Sequence, residues 1–461
     1  MPPALHVPRD RCEHRHAYGH AIRNLPLRSE TDPARVAESQ REKEVIKRRL
    51  AVLTEANPSV RAFLEGTVAL FNGTPGQPES FDLLDTLLQA QVYRLCHWRV
   101  ASEEINYRRF FDVNELAALS MENLEVFTAT HGLILRLLSE GKVHGVRIDH
   151  PDGLYDPQQY FQRLQQHYVL HMAHRLRETD ATFQEFCEEE INTLLGTTLA
   201  QASNMAEGVL YRPLYIVVEK ILGAYQTLRE DWLVYGTSGY DFLNLLNGLF
   251  VDAEQRRTWT RLYRDWTQDP RPFAEVVYDA KYLIMQMSLS SEVYTLAHRL
   301  DRLAQQHRGS RDLTFNSLRR ALQQIIACFP VYRSYISSDA LHPDDQRYVQ
   351  QAVSQAQRRN PTVSHELFAF VRDKLLLQYL ASASIDEQAE QRRFVGKFQQ
   401  VTAPIMAKGL EDTALYVYNR LLSLNEVGGD ADRFGVSPEE LHRTFRERQA
   451  KWPWAFSALS T

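Results

Sequence analysis

Three ionisable side chains, Arg147, Asp149 and His150, stand at the end of an apolar run and are followed by a Pro/Gly turn. The alternating apolar residues between positions 143 and 148 predict a short buried strand that this turn ends. Parallel α/β sheets keep their chemistry at the carboxyl ends of their strands. Arg147 and Asp149 lie two positions apart, so on a strand both side chains leave the same face. There, an arginine holds a carboxylate ionised.

A second acid, Glu219, directly follows the apolar run Leu214 to Val218. Burial at that position would raise the pKa of Glu219, whereas Arg147 keeps Asp149 ionised. One ionised and one protonated carboxyl group are what the cleavage of a glycosidic bond requires. The first attacks or stabilises the anomeric carbon, and the second protonates the leaving oxygen. Acids at strand ends also serve as helix caps or ion-pair partners, and the spacing alone leaves that structural interpretation open.

Aromatic residues occur close to these acids in the sequence, among them Phe110, Phe111, Tyr155 and Tyr240. Sugar sites combine flat apolar faces with bidentate hydrogen-bonding groups, so these residues are candidates for contacts with a sugar. Packing in a hydrophobic core explains Phe110 and Phe111 equally well.

The elements that must position these residues are mostly helices. Asp32-Pro33 is typical of a helix N-cap and predicts a helix through Ala56. Further helices are predicted over 83–99 and 114–139, after Asp156-Pro157, and through the Leu/Gln/Arg/Ala-rich region 250–395. Strands are predicted at 143–149, 214–218, 232–235 and 401–406. Strands separated by helices, with acids at their ends, indicate an α/β fold, either a (β/α) barrel or an open parallel sheet. A complete barrel would need eight strands.

The composition fits a soluble globular protein. The chain has 461 residues, of which 44% are hydrophobic and 24% charged, and its net charge is −5. These values do not favour a nucleic-acid partner, and no apolar stretch is long enough to suggest a membrane span. The four cysteines are scattered as expected for free thiols, and no secretory signal is visible, so we expect a cytoplasmic protein. No motif implies a metal or an organic cofactor.

Longer segments around the two acids resemble maltooligosyltrehalose synthase, a family of the α-amylase clan of glycoside hydrolases. Gly145 to His150 matches the G-x-R-x-D nucleophile segment of the clan. The more specific matches, which follow one another in family order from about Asn24 to the last residue, are 105–112 (I-N-Y-R-R-F-F-D), 147–157 (R-I-D-H-P-D-G-L-Y-D-P), 218–222 (V-E-K-I-L), 236–244 (G-T-S-G-Y-D-F-L-N), 407–413 (A-K-G-L-E-D-T) and 420–429 (R-L-L-S-L-N-E-V-G-G).

The resemblance implies an intramolecular transglycosylation, catalysed by an isomerase of the (1→4)-α-D-glucan 1-α-D-glucosylmutase type. The reducing-end α-1,4 bond of a maltooligosaccharide becomes an α,α-1,1 bond, which yields a maltooligosyl trehalose for trehalose biosynthesis. It also implies a partial (β/α)8 TIM barrel with large helical insertions, predominantly helical overall. The implied partners are a maltooligosaccharide substrate and, through functional coupling, a maltooligosyltrehalose trehalohydrolase.

By resemblance, Asp149 is the nucleophile, Arg147 its orienting partner and Glu219 the general acid/base. The predicted substrate-binding residues are His150, Tyr107, Arg108, Tyr155, Lys220, Tyr240, Asp241, Lys408, Glu411 and Asp412. A structural role for Glu411 and Asp412 remains an alternative of equal weight. No metal ligands are predicted.

The predicted organisation is an irregular segment 1–29, a helical segment 30–104, barrel strands with both acids in 105–249, an inserted helical domain 250–395, and a return to the barrel in 396–461. The family's early barrel segment has no match, and residues 458–461 match the approach to its T-H-D segment. That segment supplies a third carboxylate, so we expect a truncated synthase with little turnover. The alternatives are an α-1,4-glucan hydrolase or transglycosylase, and an inactive carbohydrate-binding remnant.

Overall fold

The computed structural model describes residues 25, 30–184, 187, 189–190, 193, 211–223, 226–337, 341–379 and 383–457. The predicted irregular segment 1–29, apart from Leu25, and residues 458–461 lie outside the described residues. The chain divides into two compact units, Met1–His97 and Trp98–Thr461.

The first unit is helical: α1 spans Pro33–Ala56, α2 Pro58–Asn72 and α3 Asp82–Gln89. As the sequence predicts, α1 begins after Asp32, whose side chain accepts the Ala34 N–H at 3.2 Å. The helix predicted over 83–99 is shorter than expected and ends at Gln89. No residue of these three helices is fully buried.

The second unit carries the strands. A short antiparallel pair is formed by β1 (Arg109–Phe110) and β2 (Val113–Ala117). A parallel pair is formed by β3 (Gly145–Ile148) and β4 (Tyr215–Val218), with Ile148 opposite Val218. The predicted strand 232–235 is not a regular strand. The backbone from Tyr235 to Thr237 nevertheless runs beside β4. The Tyr235 N–H donates to Ile216 O at 2.7 Å, and Thr237 forms a parallel bridge with Val218.

Helices make up most of the rest of this unit. In chain order they are α4 (Leu124–Ser139), α5 (Pro157–Thr179), α6 (Tyr240–Leu249), α7 (Arg256–Thr267), α8 (Phe273–Gln286), α9 (Ser290–Gln305), α10 (Phe315–Ala327), α11 (Pro343–Arg359), α12 (His365–Leu375), α13 (Ile385–Met406) and α14 (Pro438–Lys451). A π-helix, Ala407–Ala414, continues α13 and leads into the short helical turn Leu415–Val417. The fold is thus predominantly helical, and the one parallel pair among the described residues does not by itself establish a barrel.

Two further predictions differ from the structure. The run 401–406 is the end of α13 and not a strand, because it continues the helical spacing of the core residues Phe394, Phe398 and Ile405. The helix predicted from position 114 begins only at Leu124, where Asn123 caps it, and β2 occupies the preceding residues. The helical prediction for 250–395 agrees with the described residues of that region, which contain helices and no strand.

The hydrophobic core of the second unit has two main parts. The larger one is built by helices α8 to α13, with Leu300, Ile325 and Phe394 fully buried. The other part packs α4 and α5 against the parallel strands, through Phe127, Phe161 and Ile216. The carboxyl ends of β3 and β4 are therefore held against a rigid helical layer.

Candidate active site

Arg147, Asp149 and Glu219 meet at the carboxyl ends of the two parallel strands. Arg147 Nη1 donates to Asp149 Oδ1 at 2.7 Å, and Arg147 Nη2 lies 3.8 Å from Glu219 Oε1. The register explains this arrangement. Ile148 and Val218 are paired, so the acids that follow them begin side by side, and Glu219 N–H bonds Ile148 O at 2.9 Å. The sequence predicts this adjacency because the carboxyl ends of parallel strands share one edge of a sheet.

The two acids occupy different environments. The side chain of Asp149 is 59% exposed, whereas that of Glu219 is 22% exposed. Burial raises the pKa of Glu219, and the nearby Asp149 raises it further. The His150 N–H and Arg147 act in the opposite direction and lower it. The raised pKa makes Glu219 the better proton donor of the two acids, and the exposed Asp149 beside Arg147 is the better placed nucleophile, which is the division of roles that glycosidic cleavage needs.

His150 adopts a left-handed backbone conformation, with φ 45° and ψ 52°. In this conformation its backbone N–H donates to Glu219 Oε2 at 2.7 Å. Its ring packs against Phe110 and Phe111, with centroid distances of 5.5 and 4.3 Å. Burial lowers the pKa of His150 to about 4, so the ring is neutral at ordinary pH. His150 therefore acts on Glu219 through its backbone and fixes the turn through its ring.

Beneath the acids lies a buried polar network centred on Asp152. Lys220 Nζ donates to Asp152 Oδ2 at 3.0 Å, and the Tyr335 hydroxyl donates to Asp152 Oδ1. Arg333 Nη1 donates to the backbone oxygens of Asp152 and Leu154 at 2.8 and 2.6 Å. Burial favours the neutral carboxyl, but Lys220 and Arg333 outweigh it and lower the pKa of Asp152. Lys220 is 2% exposed, which makes it a support for the site and not a surface contact.

Tyr240 and Glu411 reach the same site from the other side. The Tyr240 hydroxyl donates to Glu219 Oε1 at 3.3 Å. Glu411 accepts from the Tyr332 hydroxyl and from the backbone of Gly428, and burial raises its pKa. Gly428 has φ 72° and packs directly on the Tyr240 ring, where a Cβ would come within 2.7 Å of Cδ1. This turn therefore links Glu411 to Tyr240, and Tyr240 to Glu219.

The other predicted contact residues are engaged as follows. Tyr107 donates to Asn114 O at 2.6 Å, Arg108 donates to Gly153 O, and Tyr155 packs against Gly396 of α13.

Asp241 accepts from Thr237 at 2.5 Å and from Arg448 at 2.7 Å, which ties α6 to α14. Lys408 bridges Asp112 at 3.4 Å and Asp412 at 2.8 Å. These contacts place Asp241 in a structural ion pair. Lys408 stays near the acids, because its ammonium lies 5.5 Å from the centre of the Phe111 ring, which packs on His150.

Comparisons with known proteins are consistent with this geometry. A solved maltooligosyltrehalose synthase from Arthrobacter ramosus is 31% identical, with a TM-score of 0.62, over 84% of this chain and 41% of that chain. A solved hypothetical maltooligosyl trehalose synthase from Sulfolobus tokodaii is 26% identical, with a TM-score of 0.55, over 83% of this chain and 40% of that one. The chain resembles the maltooligosyltrehalose synthases.

A curated Mycobacterium tuberculosis protein assigned as a maltooligosyl trehalose synthase is 29% identical over 372 residues, which are 80% of this chain and 39% of that protein. The chain thus spans about two fifths of the length of these synthases. No family model matches the chain.

The sequence prediction missed three residues that support the candidate site: the buried Tyr332 and Arg333 and the partly buried Tyr335. They lie in the loop after α10, more than a hundred residues from Glu219 and more than 180 from Asp149, and they contact Glu411 or Asp152. The signal in the sequence is a run of four side chains with hydrogen-bonding groups, Tyr332-Arg333-Ser334-Tyr335, directly after the apolar Val331.

A cavity of about 950 Å³ adjoins this synthase-like site. Its lining includes Tyr332, Asp241 and Lys281, but not Arg147, Asp149 or Glu219. The acids are the better guide to the candidate active site, because they and not the cavity wall carry groups suited to glycosidic chemistry. In the described part of the chain, no three His, Cys, Asp or Glu side chains are grouped to hold a metal ion. None of its helices combines the length and apolarity that crossing a membrane requires.

Proposed function

We propose that this chain carries the catalytic acids of an intramolecular transglycosylase that converts the reducing-end α-1,4 bond of a maltooligosaccharide into an α,α-1,1 bond, forming maltooligosyl trehalose. The observation that carries the proposal is the pairing of an exposed Asp149 with a half-buried Glu219, bridged by Arg147 at 2.7 and 3.8 Å. The reaction makes the protein an isomerase of trehalose biosynthesis. Its product, maltooligosyl trehalose, would be the substrate of a maltooligosyltrehalose trehalohydrolase.

In the proposed mechanism Asp149 attacks the anomeric carbon of the sugar upstream of the terminal bond while Glu219 protonates the leaving oxygen. The covalent glycosyl-enzyme is then attacked by the anomeric hydroxyl of the retained glucose, whose proton passes to Glu219. Both acids return to their starting states, and no water is consumed. Holding the glucose in place while excluding water is what distinguishes this isomerisation from hydrolysis.

Substrate entry would have to separate the two acids. Carboxyl groups of retaining enzymes stand about 5–5.5 Å apart, with the reacting sugar between them. Here Arg147 draws the two acids together, because its guanidinium lies 2.7 Å from Asp149 Oδ1 and 3.8 Å from Glu219 Oε1. Asp149 is the acid that would move, because it is exposed and held through Arg147, whereas Glu219 is held by the His150 N–H and the Tyr240 hydroxyl.

We further propose that residues 105–249 and 396–461 form part of a (β/α)8 barrel of the α-amylase type, and that 250–395 is a helical domain inserted into it. The parallel strands β3 and β4, with extended chain running beside β4, support the first part. The uninterrupted helices of the described residues in 250–395 support the second. A cytoplasmic location fits the sequence.

The reaction is tested by long incubation of concentrated purified chain with maltopentaose, because we expect slow conversion. Loss of reducing ends without free glucose supports the isomerisation, and a gain of reducing ends with free glucose would favour an α-1,4-glucan hydrolase. Asp149→Asn and Glu219→Gln should each abolish the conversion, while Asp265→Asn on the exposed face of α7 should not. Binding of maltopentaose without conversion, unchanged in Asp149→Asn, would instead indicate a carbohydrate-binding remnant.

A further inference from the structure

A line of cations runs along the contact between α9 and α13 to the back of the candidate site. Arg299 and Arg302 come from α9, Arg393 and Lys397 from α13, and Arg108 stands at the inner end; we call these five residues the basic groove. Arg302 and Arg393 are exposed, whereas Lys397 and Arg108 are half-buried.

The outer part of the groove has one acid for three arginines. Glu390 pairs with Arg299 at 2.9 Å, Arg302 at 3.3 Å and Arg393 at 3.2 Å. A single carboxylate neutralises at most one of these charges. The helix contact is therefore left with positive charge that a bound anion could balance.

The inner part lacks a direct acid partner in the part of the chain that the structure describes. Lys397 Nζ donates to the neutral Gln400 Oε1 at 3.2 Å, and Arg108 donates to the backbone oxygen of Gly153. Burial and the charge of Arg108 lower the pKa of Lys397, and burial followed by Arg333 lowers that of Arg108 to about 10. The charge of Glu122 favours both cations, but among the described residues Glu122 forms no ion pair with Lys397 or Arg108.

The inner end of the groove is joined to the turn that follows Asp149. The backbone oxygen of Gly153 accepts from Arg108 and also from Gln400 Nε2 at 3.1 Å, while Gln400 Oε1 accepts from Lys397. Gly153 packs against the His150 ring, where a Cβ would lie 2.8 Å from Nε2. Arg108 and Lys397 are therefore both linked, through Gly153 and Gln400, to the turn whose backbone holds Glu219.

We propose that the basic groove binds a phosphoryl group through Lys397, Arg108 and Arg299, and that this site stabilises the turn behind the candidate active site. Guanidinium groups and ammonium groups together are the usual protein partners of phosphate oxygens, and each contact is charge-assisted. The uncharged glucan proposed as substrate offers nothing to neutralise these cations. The ligand is thus distinct from the substrate, and a failure of the phosphate-binding test would leave the proposed reaction unaffected.

The test measures binding of inorganic phosphate to the full chain by calorimetry and by the shift in melting temperature, at constant ionic strength set with chloride. We expect phosphate to raise the melting temperature and chloride not to. Lys397→Met should weaken binding about tenfold or more, the usual cost of one charge-assisted contact. Arg299→Gln should act in the same direction, and Lys397→Arg should retain binding.

Lys142→Met is the matched control, because Lys142 is exposed and pairs only with the nearby Glu140. It should bind phosphate as the parent does. Glucose 6-phosphate, compared with glucose and with phosphate alone, separates the two sources of the phosphoryl group: tighter binding than phosphate indicates a sugar phosphate, and equal binding indicates the free ion. Equal stabilisation by chloride, or undiminished phosphate binding in correctly folded Lys397→Met and Arg299→Gln, would overturn the proposal.

Discussion

At the scale of single residues, the decisive feature of the candidate site is that Glu219 is positioned by main chain as well as by side chains. The His150 N–H reaches Glu219 Oε2 at 2.7 Å only because His150 lies in the left-handed region. Non-glycine residues adopt that region at a cost, and Asn tolerates it far better than β-branched residues do. Such strain is retained where the surrounding structure enforces it, as the packing of Phe110, Phe111 and Gly153 around the ring does here.

Replacing His150 separates the roles of its backbone and its ring. His150→Val and His150→Asn both remove the ring, but only Val opposes the left-handed backbone. We expect the Val variant to be less stable than the Asn variant by about 1–2 kcal/mol in urea unfolding. The same two substitutions at His144, which is exposed and outside the left-handed region, should differ much less. Equal stability of the two His150 variants would contradict the role of the backbone.

The raised pKa of Glu219 predicts a pH-dependent effect on stability. Burial raises the pKa of Glu219 in the folded state above 4.5, its value in the unfolded chain. The ionised carboxylate therefore lowers the free energy of unfolding fully once the pH exceeds the folded-state pKa. Below pH 4.5 Glu219 is protonated in both states and this destabilisation disappears. Glu219→Gln should therefore be more stable than the parent near pH 7. Its advantage should shrink as the pH falls towards 4.5, as measured by urea unfolding across that range.

Glu275 provides a control of opposite sign. Its hydrogen bonds with Arg359, at 2.5 and 2.8 Å, lower its pKa below 4.5, so the ionised form stabilises the fold above that value. Glu275→Gln should be less stable than the parent at pH 7, with the deficit fading as the pH falls through the lowered pKa. If Glu219→Gln were also less stable than the parent at pH 7, the raised pKa assigned to Glu219 would be refuted.

At the scale of elements, α13 does two tasks: it closes the helical core and supports the site. Phe394 and Phe398 face the core, while Gly396 admits the Tyr155 ring and Gln400 bonds the Gly153 oxygen. A glycine inside a helix costs about 1 kcal/mol relative to alanine, so its presence there requires a reason. The close approach of Tyr155 supplies it.

Two glycines in helices should respond oppositely to alanine. At Gly396 a Cβ would lie 2.7 Å from Cζ of Tyr155, so Gly396→Ala should destabilise the second unit by about 1–3 kcal/mol through overpacking. At Gly132 in α4 nothing lies within 4 Å of the added Cβ, so Gly132→Ala should stabilise it by about 0.5–1 kcal/mol. Thermal unfolding of both variants checks the pair, and a stabilising Gly396→Ala would show that Tyr155 is not held where the structure has it.

The sequence predicts elements well where local signals and burial agree. The caps Asp32 and Asp156 begin long helices, and the apolar runs before Asp149 and Glu219 form the parallel strands. It fails at 401–406, because a short apolar run fits a buried strand and a buried helix equally well, and only the packing of Phe394 and Phe398 onto the helical core decides. The left-handed His150 gave no signal, because that conformation is imposed by tertiary contacts.

At the scale of the whole molecule, the parts that are distant in the sequence meet at Asp152. This carboxylate, in the turn after β3, binds Lys220 at the end of β4 and Tyr335 in the loop after α10. The buried charge of Asp152 thus joins the ends of the parallel strands to the helical core. No local pattern predicts such a network, since its members are separated by some seventy to one hundred and eighty residues.

Lys220→Met should therefore destabilise the whole second unit and not the site alone. Breaking a buried ion pair leaves one uncompensated charge and costs about 3–5 kcal/mol. Adding Asp152→Asn to it removes that charge, so the double variant should recover part of the loss. The control is Lys142, an exposed lysine that pairs with Glu140, and Lys142→Met should change stability by less than about 1 kcal/mol. Urea unfolding measures all three. Additive losses in the double variant would mean that Lys220 and Asp152 act separately, and the strand ends would then have to be held to the helical core mainly by Arg333, whose guanidinium donates to the backbone of the same turn.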